Sequence, residues 1–261
     1  MSTITTLFID HTRQIRICLP ELRTLLSSSP SLLHLSISGD VLGDQSWPES
    51  NTIAMPALRS LGISSFRASN YSSIMLTIDA PRLEKLVLRD AREHDLDPFL
   101  YSSHASKFPL LQSLVFCDCH FTVAKYRMFC ASFPSVSELT FYGDSYLPDI
   151  LRSISDTTHL APNATEVHTL WPRLKELNVD LSQTGEDEDE EEDEEGLFLK
   201  DGLARRLEIG HGPAKIKLGI MTDEMDDDYA LEVACSDPEW LEEHVSIKIM
   251  EGPDLWCQCC Y

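Results

Sequence analysis

Three groupings in this chain collect residue types able to do chemistry. Asp223, Glu224 and Asp226 to Asp228 put five carboxylates within six residues, enough hard oxygen to gather a divalent cation. Cys257, Cys259 and Cys260 put three thiols within four residues, the soft donors of a zinc site. Gly210, His211, Gly212 and Pro213 resemble the start of a phosphate-cradling loop. Each lacks a part that its chemistry needs. Calcium loops alternate their ligands around a glycine turn; the acidic group does neither and reads as a solvated entrance to a helix over 229–235. A zinc site needs a fourth ligand and wider spacing, and a prenyl signal needs its cysteine fourth from the end, where Gln258 stands. These thiols therefore read as packed or loose. The glycine pair lacks the third glycine of a dinucleotide loop.

Other catalytic patterns are missing as well. No Gly-x-Ser-x-Gly elbow, His-Glu-x-x-His pair or phosphate-binding loop occurs. The nine histidines are scattered, and His34 sits on a strand face, where a histidine is ordinarily a polar surface residue. The expectation is a protein that is not an enzyme, with no catalytic residues, no cofactor and no metal site.

The elements that would position any functional residue are far more legible. One phrase recurs six times: proline, then apolar residues two, five and seven positions later. The copies are Pro30 with Leu32, Leu35 and Ile37; Pro56 with Leu58, Leu61 and Ile63; and Pro81 with Leu83, Leu86 and Leu88. They continue as Pro109 with Leu111, Leu114 and Phe116; Pro134 with Val136, Leu139 and Phe141; and Pro172 with Leu174, Leu177 and Val179. The prolines advance by 26, 25, 28, 25 and 38 residues, the period of a leucine-rich-repeat solenoid. Ile4, Leu7 and Ile9 match the apolar positions without the proline. After Pro213, Leu218 and Ile220 match with Lys215 in the first slot, and a final strand is expected around Val245, Ile247 and Ile249. The expected fold is thus α/β: a right-handed βα superhelix with a parallel sheet on its concave face. Each repeat buries its apolar side only against its neighbours.

Within the phrase, the three apolar positions point inward and the residues between them face the concave surface. Those outward positions include Arg59, Glu84, Lys85, Arg89, Gln112, Glu138, Tyr142, Lys175, Glu176 and Asp180. Mixed charge with one Tyr and one Gln suits a protein or peptide ligand. Three residues past the last apolar position lie Thr12, Asp40, Phe66, Ala91, Cys119, Asp144 and Ser182. Most are small and polar or carry sulfur, able to bond the turning backbone. Convex helices are expected after Pro20 (21–28), from Asp97 as N-cap toward Ser106, from Thr122 to Ser132, over 149–155, and from Pro238 to His244. Between Ser64 and Pro81 the spacing predicts an extended segment.

Composition divides the chain into three stretches. Residues 1–182 carry about seven regular repeats. Residues 183–196 hold the unbroken acidic run Glu186 to Glu195, which is expected to be a disordered, solvated insertion. Residues 197–261 carry degenerate repeats and a tail of the same domain. Residues 1–180 hold 15 Lys plus Arg against 19 Asp plus Glu, and residues 181–261 hold 6 against 24, so the formal charge of −22 lies mostly in the second stretch. So acidic a surface disfavours nucleic acid and anionic membrane and favours basic partners. The apolar stretches are broken by Ser, Thr and Pro, so no transmembrane span is expected. The first residues lack a basic start followed by an apolar run, so they do not read as a signal peptide. The eight cysteines then read as reduced thiols of a cytoplasmic or nuclear protein.

The repeat spelling, with Cys119 in the ladder slot, resembles the leucine-rich-repeat half of F-box proteins. The stretches Met55 to Ile63 and Ala80 to Leu88 are especially similar to the large fungal set of them. The resemblance covers roughly 4–182 and, more weakly, 213–250. It implies the substrate-binding part of a cullin-RING ubiquitin ligase subunit, whose adaptor is engaged through an N-terminal F-box. The repeat register here already begins at Ile4, so no F-box is expected within these 261 residues, and adaptor binding by them is not expected either. The acidic run gives an alternative. Acidic nuclear phosphoproteins also join leucine-rich repeats to acidic segments, which implies histones or other basic partners.

Overall fold

The computed structural model describes residues 4–11, 17, 19–39, 52–65, 68–101, 107–143, 171–180, 203–204, 216–222 and 238–251. The fold is α/β with a large parallel sheet, nine-stranded among the described residues. The chain divides into two compact units, Met1–Phe121 with Trp256–Tyr261 and Thr122–Leu255.

In the first unit the elements run β1 (Thr6–His11), α1 (Leu19–Ser27), β2 (His34–Gly39), β3 (Ile53–Ala54), β4 (Ser60–Ser64), α2 (Ala68–Thr77), β5 (Ile78–Asp79), β6 (Lys85–Arg89), α3 (Asp97–Leu100) and β7 (Ser113–Cys117). Strands β1, β2, β4, β6 and β7 pair side by side in parallel. Parallel neighbours require a crossover, and the 25- to 28-residue period supplies one. The register places Leu7, Leu35, Leu61, Leu86 and Leu114 in one row and Ile9, Ile37, Ile63, Leu88 and Phe116 in the next. From Leu35 onward these rows are almost wholly buried. The first apolar position of each phrase, Leu32, Leu58, Leu83 and Leu111, is buried with them. Short strands β3 and β5 form a second parallel ladder.

The second unit holds α4 (Val123–Ser132), β8 (Glu138–Tyr142), β9 (Glu176–Asp180), β10 (Ile216–Thr222), α5 (Pro238–His244) and β11 (Val245–Glu251). Its strands pair in parallel in chain order. Leu139, Leu177 and Leu218 share one row, and Phe141, Val179 and Ile220 the next, all buried.

The recurring proline has a defined place. In all six copies the first apolar residue donates its N–H to the carbonyl of the residue before the proline: Leu32 to Ser29, Leu58 to Met55, Leu83 to Ala80, Leu111 to Phe108, Val136 to Phe133 and Leu174 to Trp171, at 2.9–3.2 Å. Proline is thus the second residue of a four-residue turn, where its fixed φ is favoured and no N–H is required. A second bond pattern ties each repeat to the one before. Leu33 and His34 both donate to Thr5 O, Arg59 and Ser60 to Leu33 O, Glu84 and Lys85 to Arg59 O, and Gln112 and Ser113 to Glu84 O, all at 2.8–3.0 Å. Two N–H groups on one carbonyl repeat the same bulge-like bonding at the entrance of each strand.

Several expectations are corrected. The segment between Ser64 and Pro81 is not extended: α2 occupies it. Tyr71, Ile74 and Met75 are spaced as a helical stripe and all are buried, as is Ile78 at the start of β5. Buried Asn70, Ser72 and Thr77 interrupt the apolar pattern, which hides the period. Asp97 is not the N-cap of its helix. Leu96 holds that position, Pro98 lies in the first turn, and α3 ends at Leu100; the Asp97 carboxylate sits 3.1 Å from His94 Nδ1 instead. Ile4 does not point inward like Leu32 but is exposed, because β1 pairs only with β2 among the described residues. The helices starting near Pro20, Thr122 and Pro238 are present, as is the last strand over Val245 to Glu251. The expected helix over 149–155, the acidic run and Lys215 lie outside the described residues.

Candidate functional site on the outward sheet face

A strand whose odd positions fill the core presents its even positions to the other side, so the face opposite the core is fixed by the rows already given. In the first unit that face has a middle row of Phe8, Ser36, Gly62, Val87 and Val115, each the register partner of the next. On one side lie His34, Ser60, Lys85 and Ser113; on the other lie Ser38, Ser64, Arg89 and Cys117. Arg59, Glu84 and Gln112 occupy equivalent positions just before their strands, as the shared carbonyl pattern shows.

Of the expected ligand-facing residues, the first unit brings Arg59, Glu84, Lys85, Arg89 and Gln112 onto this face. Arg59, Glu84 and Gln112 are exposed, Lys85 and Arg89 partly so. Arg59 Nη1 donates to Glu84 Oε1 at 3.3 Å, an ion pair held in place by strand register rather than by burial. At the far end of the strands the face is closed by polar turns. Ser64 Oγ donates to Asp90 Oδ2 at 3.1 Å, and Asp90 N–H donates to Cys117 O at 2.9 Å. Asp90 and Asp118 both take positive φ, 58° and 49°, a conformation that Asp tolerates better than most residues. Of the expected turn ladder, Ala91 and Cys119 are described. Both are buried, and Cys119 Sγ lies 3.4 Å from the carbonyls of Leu88 and Cys117.

The second unit places Glu138, Tyr142, Lys175, Glu176 and Asp180 on or beside its own outward face. Lys175 is exposed, and Glu138, Tyr142 and Glu176 are half-buried. Asp180 is buried and presents little of itself. Asn178 Nδ2 donates to Thr140 Oγ1 at 3.3 Å, and Lys217 Nζ stands 4.0 Å from Glu176 Oε2.

The middle row was not among the expected contacts, although its signal is written in the sequence. From the second repeat to the strand at 216–222 the residue between the second and third apolar positions is Ser36, Gly62, Val87, Val115, Thr140, Asn178 or Gly219, small or short each time, whereas Phe8 and Lys248 hold it at the two ends. A Cβ added at Gly62 would lie 3.3 Å from Ser36 Oγ, so this row forms a close floor and the long charged residues stand along its margins. Such a surface presents contact area and charge. Among the described residues, no group of three or more His, Cys, Asp or Glu is placed to hold a metal ion. No described helix is long and apolar enough to cross a membrane. The carboxylates of 223–228, the thiols of 257–260 and the glycine pair 210 and 212 lie outside the described residues.

Buried titratable groups away from this face serve the fold. Burial holds the Tyr71 phenol well above its usual range and raises the Asp95 carboxyl above its ordinary value. Asp95 Oδ2 accepts the Arg92 N–H at 2.8 Å, and Ser72 Oγ donates to the Asp95 carbonyl at 2.7 Å. Lys107 Nζ donates to the Leu76 carbonyl near the end of α2, and desolvation lowers its pKa.

A scan against protein-family models finds no match for this chain, and a search of curated proteins finds none significantly similar.

Proposed function

We propose that the chain is a non-enzymatic recognition module, a leucine-rich-repeat solenoid whose outward sheet face holds a protein or peptide ligand. The observation that carries the reading is the row of small residues from Ser36 to Val115, flanked by Arg59, Glu84, Lys85, Arg89 and Gln112. A flat apolar floor with charged margins matches the apolar centre and polar rim of protein interfaces. The same-phase burial of the six proline-led repeats supports the solenoid reading. Given the resemblance of the repeats to those of F-box proteins, the role is substrate binding for a cullin-RING ubiquitin ligase, in the cytoplasm or nucleus.

The test is affinity capture with the chain and with the double variant Lys85→Glu, Arg89→Glu, each first shown to melt as the wild type does. A protein retained by the wild type, lost by the variant and ubiquitinated dependent on a cullin supports the reading. Identical captured sets from both chains would refute the face as the binding surface.

A second reading is favoured by the ten consecutive acids Glu186 to Glu195: an acidic repeat protein that binds histones or other basic proteins in the nucleus. Deleting the run discriminates the two. Loss of histone binding with the capture at the sheet face unchanged would favour the second.

A further inference from the structure

The sheet of the first unit ends on β1, and that end stands in solvent. Leu7 is half-buried, whereas Leu35, the same residue type at the same place in the next strand, is 2% exposed. Ile4 is 57% and Phe8 44% exposed, and Thr5, Thr6 and Asp10 are exposed with them. Among the described residues β1 pairs with β2 alone. Thr5 O accepts the N–H groups of Leu33 and His34. The alternation of a strand therefore turns the N–H and C=O of Thr6, Phe8 and Asp10 the other way, off the edge. Edge strands ordinarily carry a lysine, a proline or a bulge that blocks pairing with another chain. From Ile4 to Ile9 this one has no charge, no proline and no glycine, the spelling of a strand that accepts a partner.

We propose that the partner is β1 of a second copy, joined antiparallel about a twofold axis through Phe8. The strand complements itself in that register. With Phe8 opposite Phe8 of the second copy, Leu7 meets Ile9 on the core side. On the outward side Thr6 meets Asp10, whose carboxylate can accept its hydroxyl. The pairs Phe8 with Phe8 and Thr6 with Asp10 are also those whose N–H and C=O point off the edge, so each exchanges both backbone bonds. Neighbouring registers fit worse. An axis through Leu7 sets Asp10 against Ile4, and an axis through Ile9 sets Asp10 against Phe8. An axis between two residues sets the edge-facing backbone groups of one strand against the inward-facing groups of the other. Charge permits the contact as well: residues 1–180 hold 15 Lys plus Arg against 19 Asp plus Glu, a small part of the chain's −22. One strand edge buries less than a standard interface, so the dimer is reversible, with Kd on the order of 10 μM. The proposal is independent of the recognition role given to the outward face.

The test is sedimentation equilibrium of the full chain and of full-length Phe8→Lys and Phe8→Glu, loaded from about 1 to 300 μM to bracket that Kd. Phe8 is exposed, so both variants should melt as the wild type does. The wild type should pass from monomer to dimer and stop there. Each variant alone sets like charges opposite each other across the axis and should weaken dimerisation by roughly tenfold or more. An equal mixture of the two variants should recover it, because opposite charges then meet at position 8. A wild type that stays monomeric overturns the proposal and leaves the edge to a strand of a different protein. Variants that dimerise as the wild type does, or a mixture no tighter than either variant alone, overturn it too. Mass that keeps rising past the dimer also overturns it, in favour of an open-ended contact of β1 with a different strand of the next copy.

Discussion

The Tyr71 hydroxyl lies against both backbone groups of Ser65, accepting its N–H at 2.9 Å and standing 3.0 Å from its carbonyl. It also donates to the Arg89 carbonyl. One side chain of α2 thereby fastens the ends of two neighbouring strands, β4 and β6. Asn70 Nδ2 adds a bond to Ser65 Oγ at 2.9 Å. Asn70 is buried.

Tyr71→Phe should cost about 1–3 kcal/mol, the range for buried backbone groups that lose their partner. Urea unfolding followed by circular dichroism would measure it. A loss below about 0.5 kcal/mol would mean that the hydroxyl is not what holds these strand ends, since even a net hydrogen bond is worth that much.

Leu86 and Leu114 face each other across β6 and β7, and both are fully buried. Either residue changed to Asp puts an unpaired charge in the core, and no cooperative melting should remain. Leu114→Ala should fold and lose about 2–5 kcal/mol. Cooperative melting of both Asp variants would rule out the repeat register.

Asp95 ties stability to pH. Burial raises its folded-state pKa above the ordinary 3.8, so the folded state favours the protonated form. This contribution is fully present below the unfolded pKa and is lost as pH rises through the folded one. Asp95→Asn keeps an oxygen for the Arg92 N–H and removes the titration. The variant's stability relative to wild type should rise as pH goes from 3 to 7, as read from denaturant midpoints at each pH; a variant that loses ground to wild type with rising pH would contradict the burial argument.

The Arg59–Glu84 pair stands in solvent, with half of each side chain exposed. A double-mutant cycle to Ala should give a coupling of about 0.2–1 kcal/mol that fades in 1 M salt. A salt-independent coupling would show that the pair is shielded like the Val87 floor beside it.

Deleting 186–195 should leave the melting temperature unchanged, because ten consecutive like charges resist burial and the closure entropy of a loop depends only weakly on its length. Thermal melts of the two chains decide it. A fall of several degrees would show the run packed against a folded unit.

The sequence by itself determined the strands, their parallel order and which residues they bury. Those properties follow from a period-two apolar pattern repeated at a near-constant interval, and the proline turn marks each start. From Leu32 to Val179 every apolar position of the six phrases lies in the core, because no other register hides so much apolar surface. Only the tertiary structure decided three other matters. The helix α2 escaped the pattern because Asn70, Ser72 and Thr77 find hydrogen-bonding partners or burial only once the fold surrounds them. Asp97 lost the capping place that its spelling suggested, because Leu96 packs there into the core. The outward face gave a list of exposed-looking positions, and yet Asp180 among them is buried, as are Val87, Val115 and Cys117, which were not on it. A strand pattern states which side of a sheet a residue occupies; how exposed it is there is set by neighbours brought alongside from distant parts of the sequence.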